Sequence, residues 1–390
     1  MRILMLNLAD ALVHRGGDTV QMVRTKAELE KLGCQVEVST EPEPAMAGYD
    51  LAHVFNIQSA DHSLRQLQAA RRHGLPVALS TIYWDLRFLD RDPDFVRACS
   101  SPRMRALAHL APHLAIALRA FYRRTRYDLW GRLPPHLQKA RLMLEQADLL
   151  LPNSVAEAEI LALLMDAPWV RAKTCVIPNG VDPALAAPSD LKLDLPPECV
   201  VQAAAIHPVK GQLKVIRALA DHPELPLVFV GRPDRDYLDI CRRAAGGRPN
   251  VWFVGEVPHD HMAAYLARAR VHVLPSLRES PGLATLEAAL QGARCVVSHH
   301  GPTLEYFGDD VWYCDPDSLT SIRTAILNAW NGPASTRLRD RILTRFTWAE
   351  VGRQTLAAYG QLLSAKKPAH DPFAPKSSRA PAEPARHPPG

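Results

Sequence analysis

The sequence predicts an α/β protein made of two parallel sheets, each covered by helices. Three observations carry that reading. Short apolar runs of strand length alternate with longer amphipathic stretches along nearly the whole chain. Turn residues (Gly, Pro, Asn, Asp) separate them, so each run begins and ends at a recognisable stop. And 390 residues is enough for two domains of ordinary size, with 47% apolar residues to fill two cores.

In chain order, residues 2–8 form a buried strand, and the helix after Gly16-Gly17 runs to about Leu32, with Asp18 or Thr19 as its cap. Val20, Val23, Ala27 and Leu32 lie roughly on one face of that helix, with Lys and Glu on the other. Strands follow at 35–39, 51–56 and 76–81, with a helix at 61–73. Ligands of parallel sheets bind at the carboxyl ends of strands. That rule selects Gly16-Gly17, His53 through Asn56, and Tyr83-Trp84-Asp85 as acceptor-side candidates. Each has a plainer reading: turn chemistry for the glycines, a satisfied core imidazole for His53, strand-end packing for the aromatic pair. An aromatic platform beside a carboxylate also suits a sugar, whose C–H faces stack while its hydroxyls need acceptors. Residues 93–147 are expected to be helical and basic.

A strand at 148–152 ends in Asn153-Ser154, which caps a helix at 155–165. A last strand at 174–177 leads into Asn179-Gly180, a turn pair suited to a hinge. The expected organisation is a first domain over 1–178, a second over 179–345, a helix over 346–365 returning to the first domain, and a disordered tail over 366–390. The second domain opens with a strand at 199–205 and the loop His207-Pro208-Val209-Lys210-Gly211. Further strands are expected at 226–230, 250–254 (before Gly255) and 294–298, and helices at 316–331 and 336–365.

The most informative stretch is Arg270 to Glu287, RVHVLPSLRESPGLATLE. An apolar strand ends at Pro275; Ser280 stands at a helix N-cap, with Pro281 at the first helical position and Gly292 as the stop. Two carboxylates punctuate it, Glu279 in the loop and Glu287 about two turns along the helix. Exposed amides at such a start favour an anion. The pattern P-S-x-x-E-x-x-G-L-x-x-x-E-A resembles the signature of retaining GT-B glycosyltransferases, specifically glycosyltransferase family 4. Gly301 to Tyr306, Asp315-Pro316 and Ile177 to Asp182 resemble further motifs of that family, in the same order.

The resemblance implies two Rossmann-like domains facing a cleft, and transfer of a sugar from a UDP- or GDP-linked donor to a glycan or lipid-linked hydroxyl, with retention. It implies that Glu279 meets the donor sugar's hydroxyls and Glu287 the ribose. Lys210, with the backbone at Ser280, Pro281, Gly282 and Leu283, would hold the diphosphate; His207 and the loop at Gly255 would lie beside the donor. The family's clamp arginine aligns with Ala205, and its histidine near the end of the 76–81 strand is replaced by Tyr83-Trp84-Asp85. No D-x-D motif stands in a suitable loop, so neither a metal nor another cofactor is implied. A non-catalytic nucleotide-sugar-binding protein and a nucleotide-sugar epimerase stay open as rivals, since a fold hosts several functions.

Composition narrows the setting. The seven scattered cysteines lack a C-x-x-C pair, which points to a reducing cytosol rather than disulfides or zinc. The start MRILMLNL enters a strand without an apolar signal region, and no spanning helix is expected. A net charge of +5 without a recognised binding module argues against nucleic acid. The charge concentrates at 97–141, where arginines mix with Phe121, Tyr122 and Trp130. A solvated helical face explains this; so does peripheral contact with an anionic membrane surface. If the latter holds, the protein will sediment with anionic liposomes at low salt and be released by high salt; no binding at low salt would refute it.

Overall fold

The computed structural model describes residues 1–9, 11–12, 16–83, 133–187 and 189–366, with a few positions between 107 and 118. Trp84, Asp85, most of the basic 97–141 stretch and the tail beyond residue 366 lie outside the described residues. Among those described, no helix is long and apolar enough to cross a membrane.

The first sheet comprises β1 (Arg2–Leu6), β2 (Gln35–Ser39), β3 (Leu51–Phe55), β4 (Val77–Ser80) and β5 (Leu149–Leu150). Its helices are α1 (Gly17–Lys31), α2 (Ala60–Arg72), α3 (Pro135–Gln146) and α4 (Val155–Leu164). The second comprises β6 (Cys199–Ala203), β7 (Leu227–Val230), β8 (Val251–Gly255), β9 (Ala269–Leu274), β10 (Arg294–Ser298) and β11 (Trp312–Cys314). Its helices are α5 (Gln212–Ala218), α6 (Arg235–Ala245), α7 (His259–Ala267), α8 (Leu283–Leu290), α9 (Thr303–Phe307), α10 (Leu319–Asn331) and α11 (Arg337–Arg345). A last helix, α12 (Trp348–Lys366), closes the fold.

All strand pairs are parallel, in the orders β2-β1-β3-β4-β5 and β11-β10-β9-β6-β7-β8. Each sheet therefore reverses its winding once, between β1 and β3 and between β6 and β9. Loops leaving such a strand pair go to opposite faces and open a crevice.

Among the described residues the expected strands and helices are present, with local corrections; of the helical stretch expected over 93–147, the structure describes Pro135–Gln146 as a helix and most of the rest lies outside the described residues. The start of α1 is Gly17, after Gly16, with no side-chain cap from Asp18 or Thr19. Thr19 is turned inward and donates to the Ala11 carbonyl at 3.1 Å. The strand expected at 174–177 is reduced to one bridge, Leu150 to Thr174. The helix expected over 336–365 is two, broken at Phe346-Thr347 where the chain recrosses between domains. There the Val181 N–H donates to the Phe346 carbonyl (2.8 Å) and the Trp348 N–H to the Val181 carbonyl (3.2 Å), so both crossings run side by side. Gly180 allows it: a Cβ there would lie 2.7 Å from the Thr347 carbonyl carbon.

Beyond the break, α12 packs on the first sheet. Trp348, Val351, Ala358, Tyr359 and Leu362 share a core with Ile3, Met5, Met22 and Leu29. His53 belongs to this core and not to the cleft. Strand residues alternate between faces, and Leu51, His53 and Phe55 point toward α12. Its ring nitrogens meet the Tyr359 hydroxyl at 2.6 Å and Ser80 Oγ at 2.9 Å, and burial pushes its pKa down to about 3. Tyr83 is buried in the other core of this domain, and its N–H donates to Glu157 Oε1 at 2.9 Å.

A second core histidine, His272 in β9, is fully buried, and neither ring nitrogen has a partner among the described residues. Burial pushes its pKa from 6.5 down to about 4. The unfolded chain takes up a proton that the folded one refuses, so the stability present above pH 6.5 is lost as pH falls toward 4. The loss is up to about 1.4 kcal/mol per pH unit. Between those limits wild type should lose stability on acidification faster than His272→Val, read from denaturant midpoints; parallel profiles would refute this.

Candidate active site between the two sheets

A cleft of about 500 Å³ opens where the two crevices meet. The first domain lines it with Gly16, Gly17 and Asp18 after β1, Asn56 and Gln58 after β3, Ile82 after β4 and Asn153 after β5. The second contributes Ala203 to Ala205 after β6, Lys210, and Leu274 through Ala284 in part, after β9. Asn179 of the crossing completes the wall.

Lys210 and Glu279 come from different loops, and backbone contacts bring them together. The Leu277 N–H donates to the Val209 carbonyl at 2.9 Å, tying the two loops. Gly211 (φ +76°) lets them close: a Cβ there would sit 2.9 Å from the Pro275 carbonyl oxygen. Lys210 Nζ then reaches both Glu279 oxygens, at 2.9 and 2.6 Å, and Ser276 Oγ donates to Oε2 at 2.8 Å. The pair is largely withdrawn from water, with side chains 17% and 10% exposed. A cation and a carboxylate thus stand ready on the wall, each satisfied by the other. An anionic ligand would compete with Glu279 for Lys210, releasing the carboxylate to accept from hydroxyls.

The helix after this loop begins at Leu283, two residues later than the sequence predicts, and Ser280 does not cap it. Gly282 is the cap residue, at φ +95°, a conformation that costs an L side chain energy. A Cβ there would fall 2.9 Å from both Glu279 Cγ and Leu274 Cδ2. The tight turn therefore places Glu279 over the helix start, and Leu283 and Ala284 bring that start to the cleft wall.

Glu287 lies on the part of α8 facing α7 and is not among the cleft-lining residues. Its Oε1 is 3.9 Å from His259 Nε2. Burial pushes its pKa up to about 7, against the pull of Arg24 from α1. Arg24 in turn bonds Asp182 at 3.2 Å. Two other residues are displaced from the expected site. His207 caps its own turn, its Nδ1 accepting from the Val209 N–H at 3.3 Å, with its pKa lowered by burial. Gly255 ends β8 at the sheet edge, where its carbonyl accepts from the Gly231 N–H at 2.8 Å. A site centred on β6 and β9 is two strands away.

The cleft also contains Gln21, Asn153 and Asn179, which sequence reasoning treated as helix, cap and hinge residues. The asparagines' local signals, an N-S cap and an N-G turn, were real but concern the backbone. What a side chain does there depends on the partner domain.

Two parallel-sheet domains meeting across such a cleft define the GT-B architecture. The fold matches sucrose-phosphate synthase from Thermosynechococcus elongatus with a TM-score of 0.69 at 18% identity, over 94% of this chain and 100% of that one. Against Anabaena HepE in complex with UDP and glucose the TM-score is 0.65 at 18% identity, over 92% and 99%. Residues 186–342 match the family model for glycosyl transferases group 1. Curated relatives include glycogen synthase from Mycobacterium tuberculosis, 29% identical over 213 residues (52% of this chain, 51% of the relative). D-inositol 3-phosphate glycosyltransferase from Nocardioides sp. is 29% identical over 257 residues (56% and 54%). The chain thus spans about half the length of the curated relatives it matches.

Gly282→Ala should cost about 1–3 kcal/mol of stability, since it combines backbone strain with contact against two side chains. Gly292→Ala also sits at positive φ, with nothing within 4 Å of the new methyl, and should cost less. Equal losses in urea denaturation would show that the contacts at Gly282 are not limiting.

Proposed function

We propose that the protein is a retaining glycosyltransferase that moves a sugar from a nucleoside diphosphate to a hydroxyl of a glycan or glycolipid. The observation that carries this reading is the Lys210–Glu279 pair, set in one cleft at the switch points of both sheets. The neighbour that holds UDP and glucose supports the donor class. In this reading Lys210 and the amides that open α8 hold the diphosphate, where fixed positive ends stabilise the departing charge. Glu279, released from Lys210, accepts from the sugar's hydroxyls and sets its orientation. Glu287, beside His259, accepts from the ribose. The bond from the anomeric carbon to the diphosphate breaks, and one to the acceptor oxygen forms on the same face. The acceptor's proton passes to the leaving phosphate oxygen. No protein nucleophile is required, and a peripheral station at an anionic membrane would serve a lipid-linked acceptor.

Ala205 favours one rival. It lies exposed on the cleft wall, at the position where the family resemblance expects a second cation. A protein with weakened phosphate stabilisation could bind a nucleotide sugar without turning it over.

One experiment separates the two. UDP, GDP, ADP and their sugar conjugates are tested by thermal shift on wild type and on Glu287→Ala, and release of nucleotide is followed in wild type and Glu279→Gln. One nucleotide should raise the wild-type melting temperature in proportion to the logarithm of its concentration over Kd, with a smaller effect in Glu287→Ala. Glu279→Gln should cut turnover by about 10²–10³-fold. Full turnover in that variant would overturn the assignment, and binding without turnover in wild type would establish the rival.

A further inference from the structure

Three buried polar atoms on the cleft wall have no hydrogen-bond partner among the described residues: Asn153 Nδ2, Asn179 Oδ1 and Ser280 Oγ. Asn153 and Asn179 are 1% and 5% exposed. Buried polar groups are ordinarily paired, and those left over ask for a ligand or water.

Neighbouring bonds orient both amides, Asn153 relative to the Gln21 side chain and Asn179 relative to a backbone carbonyl. Asn153 Oδ1 accepts from Gln21 Nε2 at 2.8 Å, which leaves Nδ2 for the cleft. Asn179 Nδ2 donates to the Ser280 carbonyl at 3.1 Å, which leaves Oδ1. Turning it over would oppose two oxygens. The two residues are also held close: the Tyr306 hydroxyl donates to the Asn153 carbonyl at 2.8 Å and accepts from the Asn179 N–H at 2.7 Å.

The wall thus offers an acceptor at Asn179 and, on a backbone tied to the same Tyr306 hydroxyl, a donor at Asn153, with a hydroxyl at Ser280 able to serve as either. A phosphate or carboxylate, which only accepts, would leave Asn179 unpaired. A hydroxyl satisfies both at once, accepting from Asn153 Nδ2 and donating to Asn179 Oδ1.

We propose that Asn153 and Asn179 form a subsite for an uncharged sugar hydroxyl, with Gln21 positioning Asn153. The proposal rests on the glycosyltransferase reading only for naming the ligand a sugar. Its parts come from the first domain (Asn153, Gln21), the crossing (Asn179) and the second domain (Ser280). A bound hydroxyl therefore links the domains as well as the ligand. The hydroxyl could belong to the donor's sugar or to the acceptor, and the test distinguishes them.

The full chain is titrated calorimetrically with UDP, GDP and ADP, with UDP-glucose, GDP-mannose and ADP-glucose, and with glucose, mannose and glucose 6-phosphate with and without nucleotide. Asn153→Asp removes the donor, and Gln21→Met removes only its positioning contact; unliganded melting curves check folding, and Gln21→Met carries the test if Asn153→Asp fails to fold. We expect the affinity gained from an uncharged sugar to fall at least tenfold in Asn153→Asp and severalfold in Gln21→Met, with bare nucleotide held within twofold. A loss confined to the sugar nucleotides places the hydroxyl on the donor; a loss confined to the free sugars places it on the acceptor. An unchanged sugar gain, an equal loss of bare nucleotide, a preference for glucose 6-phosphate, or no sugar binding by wild type would each overturn the subsite. Sugar binding without binding of any nucleotide would instead sink the transferase reading and leave the subsite standing.

Discussion

The cleft exists because two separately packed domains are held face to face by a polar seam, and Tyr306 stands at its centre. Its hydroxyl is buried, bonded on one side to Asn153 of the first domain and on the other to Asn179 of the crossing. Beside it, Glu305 accepts from the Val155 and Ala156 N–H groups at 2.8 and 2.7 Å, so a carboxylate of the second domain caps a helix of the first. That contact is favourable because the first turn of a helix has unpaired N–H groups and a positive end.

The first domain meets the seam through a second buried carboxylate. Glu157 accepts from the N–H groups of Asn153 (3.0 Å) and Tyr83 (2.9 Å) and from Thr81 Oγ1, while the Glu157 N–H donates to Ser154 Oγ at 3.0 Å. Burial raises its pKa, and the bonds it accepts work the other way. The loop after β4, the end of β5 and the start of α4 are thereby joined at one point. Asn153 is held by this carboxylate through its N–H, by Tyr306 through its carbonyl and by Gln21 through its side chain, so its side chain is held in place at the cleft wall.

Across the cleft, Lys210 and Glu279 neutralise one another, Ala205 adds no charge and the asparagines are neutral, which leaves Asp18, accepting from Asn56 Nδ2 at 3.1 Å, as a remaining negative charge on the wall. An anion that takes Lys210 from Glu279 frees the carboxylate, so its binding and that release are coupled. Such coupling belongs to the pair as a unit and not to either residue alone, since breaking a withdrawn ion pair leaves the abandoned partner needing a new one.

Local chemistry was legible in the sequence wherever neighbours in the chain decide it. Strand-length apolar runs, the Gly292 stop and the carboxylates around β9 and α8 follow from spacing, and the alternation of elements determined two parallel sheets. The start of α8 was misplaced because Ser280-Pro281 makes a good local cap, whereas Gly282 is set by contact with Glu279 and Leu274. His53 was assigned to the cleft because a strand end suits a ligand; Tyr359, 306 positions away, claims its ring nitrogen instead. The sequence by itself determined the sheets, their facing loops and the pair of residues with opposite charge. Only the tertiary structure decided that those charges touch, that Glu287 turns toward α7, and that Asn153 and Asn179 face the cleft. Side-chain direction at a domain boundary depends on which partners the other domain brings, and chain spacing holds no record of them.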